Sequence, residues 1–165
     1  MHPNEVLLTY FYTCFQQKDY KGMQHCYSDN ARFNDPVFID LDADEVRAMW
    51  EMLLLKAKDL VISFESIGAD DSRGSAEWVA QYTFSATGEK VVNRIHSAFE
   101  FANGKISRQT DQFEFYNWAR QALGFTAGLL LGWTPYIRRK IRSMAMKVLE
   151  AFMSARANKQ LTPIK

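Results

Sequence analysis

The stretch FEFANGKISRQTDQF at residues 99–113 decides the fold, because it predicts a β-hairpin with a sharply defined turn. Asn103-Gly104 is a dipeptide typical of two-residue hairpin turns, since it tolerates positive φ at both central positions. Apolar and polar residues alternate on either side of it, which predicts strands with one face packed on a core. On the second strand, the alternation puts Asp111 on the same face as Gln109 and Phe113.

The same alternation recurs upstream and predicts four strands joined by short turns. These strands are Leu60–Ile67, Glu77–Ala86, Val91–Phe101 and Lys105–Phe115. We expect one face of the middle strands to line a cavity through Trp78, Ala80, Tyr82 and Phe84 and through Ile95, Ser97, Phe99 and Phe101. Arg94, His96 and Glu100 then lie on the outer face.

The N-terminal third predicts helices. Residues 4–17 carry apolar side chains at helical spacing, and Asp19 is placed to cap a second helix running to about Tyr27. Ser28-Asp29-Asn30 has the composition of a turn. A third helix begins near Asp42, which forms a capping box with the residue three positions on and which precedes a buried stripe that includes Trp50.

Between the second and third helices, residues 31–38 predict extended chain that ends at Asn34-Asp35-Pro36. Pro36 excludes a helix there and keeps Asp35 out of the α region, so Asp35 lies in or beside an edge strand. A curved sheet around the helices then encloses a cavity with polar groups at Asp35 and Asp111. Each carboxyl has two interpretations: a turn or buried hydrogen-bonding group, or an acid–base group whose pKa the apolar surroundings raise.

Composition restricts the function classes. The chain has 165 residues, 47% of them hydrophobic, which is enough for one well-packed domain. No apolar run reaches the length of a membrane span and the first residues lack a secretory signal, so we expect a cytoplasmic protein. Cys14 and Cys26 predict buried thiols. The sequence contains neither a phosphate-binding glycine loop nor a cluster of metal ligands, and we expect no metal and no cofactor.

The C-terminal segment is basic although the net charge of the chain is only +1. Thr134-Pro135 predicts the start of an amphipathic helix whose apolar face is Ile137, Ile141, Met144, Val148, Leu149 and Phe152. It follows an apolar stretch at residues 125–133 that is too short to span a membrane. We expect this extension to pack on its own domain or a partner subunit; peripheral membrane contact through residues 125–153 is the alternative, and we expect no nucleic-acid partner.

Several of these segments together resemble a known protein family. Tyr27 to Pro36, the helix that follows, and residues 101–106 with Asp111 downstream resemble the nuclear transport factor 2-like superfamily, and within it SnoaL-like proteins. That group includes polyketide cyclases, ketosteroid isomerases and limonene epoxide hydrolases. The resemblance implies an α+β fold: a cone-shaped, barrel-like, strongly curved mixed sheet wrapped around three N-terminal helices. It implies a cone domain at residues 1–117, a helical extension at 118–165, and a homodimer.

The resemblance also implies roles for individual residues. Asp35 falls where the isomerases keep a general base, and Asp111 where the epoxide hydrolases keep an aspartate. The positions of the isomerases' oxyanion donors are occupied here by Phe11 and Ser97. The positions of the hydrolases' Arg-x-Asp pair are occupied by Trp78 and Ala80. The chain therefore lacks residues that each of these two reactions requires.

The resulting expectation is a pocket protein for a small apolar molecule. In one hypothesis it is an isomerase or cyclase in which Asp35 and Asp111 are catalytic, acting as general acid and base on a carbonyl substrate. In the other it binds an apolar or lipid-like ligand without turnover. The expected substrate-binding residues are Phe11, Trp50, Trp78, Tyr82, Phe84, Ser97, Phe99, Gln109 and Phe113.

Overall fold

Three helices and a short strand form the N-terminal part of the molecule in the computed structural model, which describes residues 1–124 and 134–161. Helix α1 spans Pro3–Gln16, α2 spans Tyr20–Cys26, strand β1 spans Tyr27–Asn34 and helix α3 spans Ala43–Lys56. Asp19 caps α2 and Asp42 caps α3 in a capping box with Glu45, as predicted.

The remaining strands are β2 at Val61–Ala69, β3 at Arg73–Thr83, β4 at Lys90–Ala102 and β5 at Lys105–Gln112. They build a mixed five-stranded sheet in the order β1-β5-β4-β3-β2. The pairs β2/β3, β3/β4 and β4/β5 are antiparallel, whereas β1 pairs in parallel with β5. The predicted α+β fold is confirmed: the sheet curls around α1, α2 and α3, whose apolar faces share one core with it.

The predicted hairpin at Asn103-Gly104 is confirmed, and both residues have positive φ. The predicted turn at Ser28-Asp29-Asn30 is wrong, because these residues belong to β1. The register of β1 shifts between Tyr27 and Arg32, which marks an irregularity in its pairing with β5. The polar side chains between these two positions face solvent on an edge strand, where they resemble a loop in composition.

Helix α4 spans Phe115–Ala122, and the C-terminal helix, α5, spans Pro135–Leu161. Helix α5 packs against α3, where Arg156 forms a 2.6 Å ion pair with Glu51. Leu149 is fully buried, but Met144 and Val148 are exposed, so the predicted apolar stripe is wrong at these two positions. The surface that α5 buries is centred on Leu149 and passes through Ala145, Met146, Phe152 and Met153.

The predicted apolar stretch at residues 125–133 lies outside the described residues. Within 1–124 and 134–161, the helices lack the length and apolar character that crossing a bilayer requires. Cys14 and Cys26 are buried free thiols, as predicted.

Candidate functional site

Asp111 lies near the end of β5 with only 4% of its surface exposed, opposite Ser97 on β4. The period-2 alternation of β5 turns Asp111 inward together with Gln109. Ser97 Oγ donates a 2.6 Å hydrogen bond to Asp111 Oδ1, and Gln109 Nε2 donates one of 2.9 Å to the same oxygen. Both donors are neutral groups.

Two chains of hydrogen bonds converge on this carboxyl, and each begins at an indole. In the first, Trp78 Nε1 donates to Ser97 Oγ over 2.8 Å, and Ser97 donates to Asp111. In the second, Trp50 Nε1 donates to the Tyr27 hydroxyl over 2.8 Å, Tyr27 donates to Gln109 Oε1, and the Gln109 amide donates to Asp111. The interior of the sheet is therefore organised around Asp111 Oδ1.

Burial raises the pKa of Asp111 to about 7, although the hydrogen bonds from Ser97 and Gln109 act in the opposite direction. The charge of Asp35 raises the pKa of Asp111 further. A carboxyl with this pKa is populated in both protonation states near neutral pH, which is the property that general acid–base catalysis requires.

Asp35 directly follows β1, whose Asn34 pairs with Thr110, the residue before Asp111. Because these strands are parallel, Asp35 and Asp111 are the next positions on neighbouring strands at the same end of the sheet. Asp35 Oδ1 accepts hydrogen bonds from the backbone N–H groups of Val37 at 2.6 Å and Phe38 at 2.5 Å.

The Asp35 carboxyl is therefore part of the turn, and it is also titratable. Burial raises the pKa of Asp35 to about 6, against the effect of its two backbone hydrogen bonds and of the charge of Arg142. The Asp35 charge in turn raises the pKa of Asp111. Since the two carboxyls interact, we expect them to titrate as a coupled pair.

Tyr12 is a residue of this site that was not among the predicted site residues. It is fully buried, and within the described residues its hydroxyl is the buried side-chain polar atom that has no hydrogen-bond partner. Burial raises the pKa of Tyr12 well above its ordinary value and the charge of Asp111 raises it further, whereas the nearby Ser97 hydroxyl lowers it without forming a hydrogen bond of normal geometry. An unpartnered buried hydroxyl beside a carboxyl is able to donate a hydrogen bond to a ligand oxygen.

The structure separates the predicted substrate-binding residues into two groups. The inner group packs in the main core around Asp111 and consists of Phe11, Trp50, Trp78, Ser97, Phe99 and Gln109. The outer group, around Trp118, consists of Phe84 together with Tyr82 and Phe113, which also pack against the main core and so connect the two groups. Trp118 Nε1 donates a 2.8 Å hydrogen bond to the Tyr82 hydroxyl, and Val37 from the Asp35 turn packs on the same cluster.

Four residues of this region were not predicted: Tyr12, Tyr27, Trp118 and Arg142. The helical spacing of α1 gives a weak signal for Tyr12, because Tyr12 follows Leu8 by four positions and both are fully buried. The other three have partners that are far away along the chain: Tyr27 bonds to Gln109, Trp118 to Tyr82 and Arg142 to Pro36. Tertiary packing decides these partners.

Two surface clefts lie elsewhere on the molecule, and neither contains a predicted site residue. The larger, of about 350 Å³, is lined by Glu89, Lys90, Arg120, Gln121 and Gly124. The smaller, of about 250 Å³, lies beside β1 and the start of α3. The described residues also contain no group of three or more side chains suited to holding a metal ion.

A comparison with family models matches residues 8–109 to the model described as "SnoaL-like domain". No curated protein sequence matches this one significantly.

Solved structures share the fold at low identity. An NTF2-like protein of unknown function from Burkholderia pseudomallei has a TM-score of 0.66 and 16% identity, over 75% of this chain and all of the other. A putative polyketide cyclase from Xanthomonas campestris has 0.61 and 16%, over 73% and 96%. An epoxide hydrolase of the limonene epoxide hydrolase type from Mycobacterium tuberculosis has 0.60 and 16%, over 78% and 96%.

Proposed function

Because this chain belongs to the SnoaL-like family, we propose that it takes a small apolar carbonyl compound into the interior of the sheet and moves a proton on it, as isomerases and cyclases do. The observation that carries this proposal is the convergence of two hydrogen-bond chains on one buried carboxyl, Asp111. A buried carboxylate without a cationic partner is costly. Burial raises the pKa of Asp111 to about 7, because the fold pairs it with the neutral donors Ser97 and Gln109 rather than with a cation.

In the proposed reaction, the ionised Asp111 carboxylate accepts a proton from the carbon next to the substrate carbonyl. The electron pair of the broken C–H bond moves to the carbonyl oxygen, and the Tyr12 hydroxyl donates a hydrogen bond to that developing oxyanion. Protonated Asp111 then returns the proton to another carbon of the substrate, as in an isomerisation. In a cyclisation, the enolate carbon instead bonds to a second carbonyl carbon of the substrate, and protonated Asp111 gives its proton to the alkoxide oxygen formed there. Asp35, at the same end of the sheet, is the second acid–base group, and its charge adds to the effect of burial in raising the pKa of Asp111.

Asp111 and Tyr12 suit these roles because their polar atoms are rigidly placed. Ser97 and Gln109 fix Oδ1 of Asp111, and α1 packs the Tyr12 ring between Phe64, at 5.3 Å, and Trp78, at 6.1 Å between ring centroids. Preorganised groups of this kind lower a barrier without reorganising during the reaction.

A second candidate function is binding without turnover, of an apolar or lipid-like molecule. One observation favours it: the isomerase donor positions hold Phe11, whose ring is packed among aromatic side chains, and Ser97, whose hydroxyl is committed to Asp111. In this case the basic exposed side of α5 is a contact for a membrane surface or a protein partner.

The experiment that separates the two functions is native mass spectrometry of freshly purified protein, followed by organic extraction and identification of the bound molecule. Asp111→Asn and Asp35→Asn are analysed in parallel, with Asp29→Asn as a control at an exposed carboxylate. A bound carbonyl compound that the wild type and the control convert, but that Asp111→Asn leaves unchanged, supports the proton-transfer function. A fatty acid or lipid retained unchanged by all four proteins supports binding alone.

We also propose that the protein forms a homodimer through the outer face of the sheet. That face carries the exposed apolar side chains of Val61 and Val92 beside the His96–Glu77 contact of 2.6 Å. Sedimentation velocity of the wild type and of Val92→Glu tests this: the variant is expected to sediment as a monomer, and a wild-type monomer contradicts the proposal.

A further inference from the structure

Helix α5 lies outside the residues matched by the family model, yet it reaches the Asp35 end of the sheet. Arg142 Nε donates a 2.9 Å hydrogen bond to the backbone oxygen of Pro36, the residue after Asp35. The preceding residue, Ile141, packs on the outer aromatic cluster together with Val37 and Tyr82. One turn of α5 therefore contributes both an apolar side chain and a guanidinium group to this end of the molecule.

The Arg142 guanidinium differs from the other arginines of α5 whose contacts are defined. Arg138 stacks on the ring of Phe115, with its Cζ 4.8 Å from the centroid, and Arg156 is paired with Glu51. Within the described ranges, Arg142 makes its hydrogen bond to Pro36 through Nε and forms no ion pair, so its two terminal amino groups have no protein acceptor there.

Asp35 does not neutralise Arg142. Its Oδ1 accepts the two backbone hydrogen bonds of the turn, and no ion pair joins the two side chains in the described part of the chain. The two groups are nevertheless close enough for the charge of Arg142 to lower the pKa of Asp35. The half-buried Arg142 guanidinium therefore lies near the titratable carboxyl of Asp35 and near the outer aromatic cluster around Trp118.

We infer that Arg142 binds an acidic oxygen of the ligand, a carboxylate, enolate or phenolate, while the apolar part of the ligand lies against Tyr82, Phe113 and Trp118. The planar guanidinium presents two parallel N–H groups, which is the arrangement that recognises a carboxylate or a similar oxygen pair. The inference deepens the proposed function and rests on it, since it places the ligand at the same end of the sheet. It makes α5 part of the binding site.

The probes for the test are 2-naphthoate and 2-naphthamide, which have nearly the same shape and differ in charge. Their dissociation constants are measured by titration calorimetry at about pH 5, where Asp35 and Asp111 are mainly protonated and the naphthoate is mainly ionised. The measured quantity is the ratio of the amide constant to the naphthoate constant. The variants are Arg142→Gln, Arg142→Lys and the control Arg139→Gln, an exposed arginine on the same helix.

We expect Arg142→Gln to lower this ratio about tenfold, the effect of losing one charge-assisted hydrogen-bond pair that is partly exposed to water. Arg142→Lys keeps the charge and is expected to lose less, and Arg139→Gln to leave the ratio within twofold. An unchanged ratio in Arg142→Gln, or an equal fall in Arg139→Gln, overturns the role of Arg142 while the pocket remains. If the wild type binds neither probe, the proposed pocket itself fails, and the inference fails with it.

Discussion

Ser97 on β4 and Asp111 on β5 are directly paired residues whose side chains are joined by a 2.6 Å hydrogen bond in the buried interior. Ser97 also accepts a hydrogen bond from Trp78, so its hydroxyl acts as an acceptor and a donor at the same time. These two hydrogen bonds fix the orientation of the Ser97 hydroxyl, which in turn fixes the position of the Asp111 carboxyl.

Ser97→Ala is expected to raise the pKa of Asp111, because the lost hydrogen bond favours the ionised form. The free energy of unfolding should fall by about 1–3 kcal/mol, since the Trp78 N–H becomes a buried donor without an acceptor. A carbon-13 NMR titration of the Asp111 carboxyl and urea denaturation measure the two effects. Ser63→Ala, at an exposed position of β2, should change neither. An unchanged Asp111 pKa would contradict the described role of Ser97.

Removal of the hydroxyl should lower the free energy of unfolding at one buried tyrosine, Tyr27, but not at the other, Tyr12. Tyr27→Phe leaves the Trp50 N–H and the Gln109 carbonyl without their partner and should lower the free energy of unfolding by about 1–3 kcal/mol. Tyr12→Phe removes a hydroxyl that has no partner in the described residues, so stability should stay within about 0.5 kcal/mol or rise. Urea denaturation of both variants checks this. If Tyr12→Phe is as damaging as Tyr27→Phe, the Tyr12 hydroxyl has a structural partner and is not available to a ligand.

The stability that Asp111 contributes should fall as the pH rises from about 4 toward neutrality. Asp111 has its pKa raised from 3.8 to about 7, so the folded protein holds a proton that the unfolded chain releases between these values. The contribution of Asp111 to the free energy of unfolding is then highest below about pH 4, decreases up to about pH 7 and stays level above it, with a total change on the order of 4 kcal/mol.

Asp111→Asn removes this titration, and its unfolding free energy should depend less steeply on pH over the same window. Urea denaturation from about pH 4 to about pH 8 measures the slope for both proteins. Asp29→Asn, at an exposed carboxylate, is the matched control. Equal slopes for the wild type and Asp111→Asn would show that Asp111 is not protonated on folding.

The attachment of α5 to α3 is expected to depend on Glu51 and Arg156, whose charged atoms lie 2.6 Å apart with Glu51 the more buried partner. A double-mutant cycle with Glu51→Gln and Arg156→Gln should give a coupling energy of about 0.5–1 kcal/mol, because the pair is partly exposed to water. The same cycle with exposed Lys159→Gln should give none. Hydrogen exchange should become faster along α5 in the two variants that break the pair, and unchanged exchange would contradict an anchoring role.

Local patterns were sufficient for much of the fold. The alternation on β4 and β5 predicted the inward faces of Ser97, Gln109 and Asp111, since a period of two depends only on neighbouring residues. The hairpin at Asn103-Gly104 and the caps at Asp19 and Asp42 were predictable for the same reason.

The contents of the site were less predictable, because they depend on contacts between distant segments. The hydrogen bond between Tyr27 and Gln109 requires the parallel pairing of β1 with β5, which no local pattern records. The polar residues from Ser28 to Asn30 gave a turn signal because an edge strand exposes its side chains to water. Arg142 meets Pro36 only through the docking of α5.

The pairing of β1 with β5 also has a consequence for how the protein is made. It joins residues roughly 75 positions apart, such as Phe33 and Gln109, whereas the other strand pairs join segments that follow one another directly. Contacts between residues so far apart in sequence form slowly, because the entropy cost of closing a long loop comes before the contact stabilises the chain. On a ribosome, the first strand must wait for the last to be synthesised. Asp35 and Asp111 are thus brought together at a late stage of folding, when nearly all of the sheet has been translated.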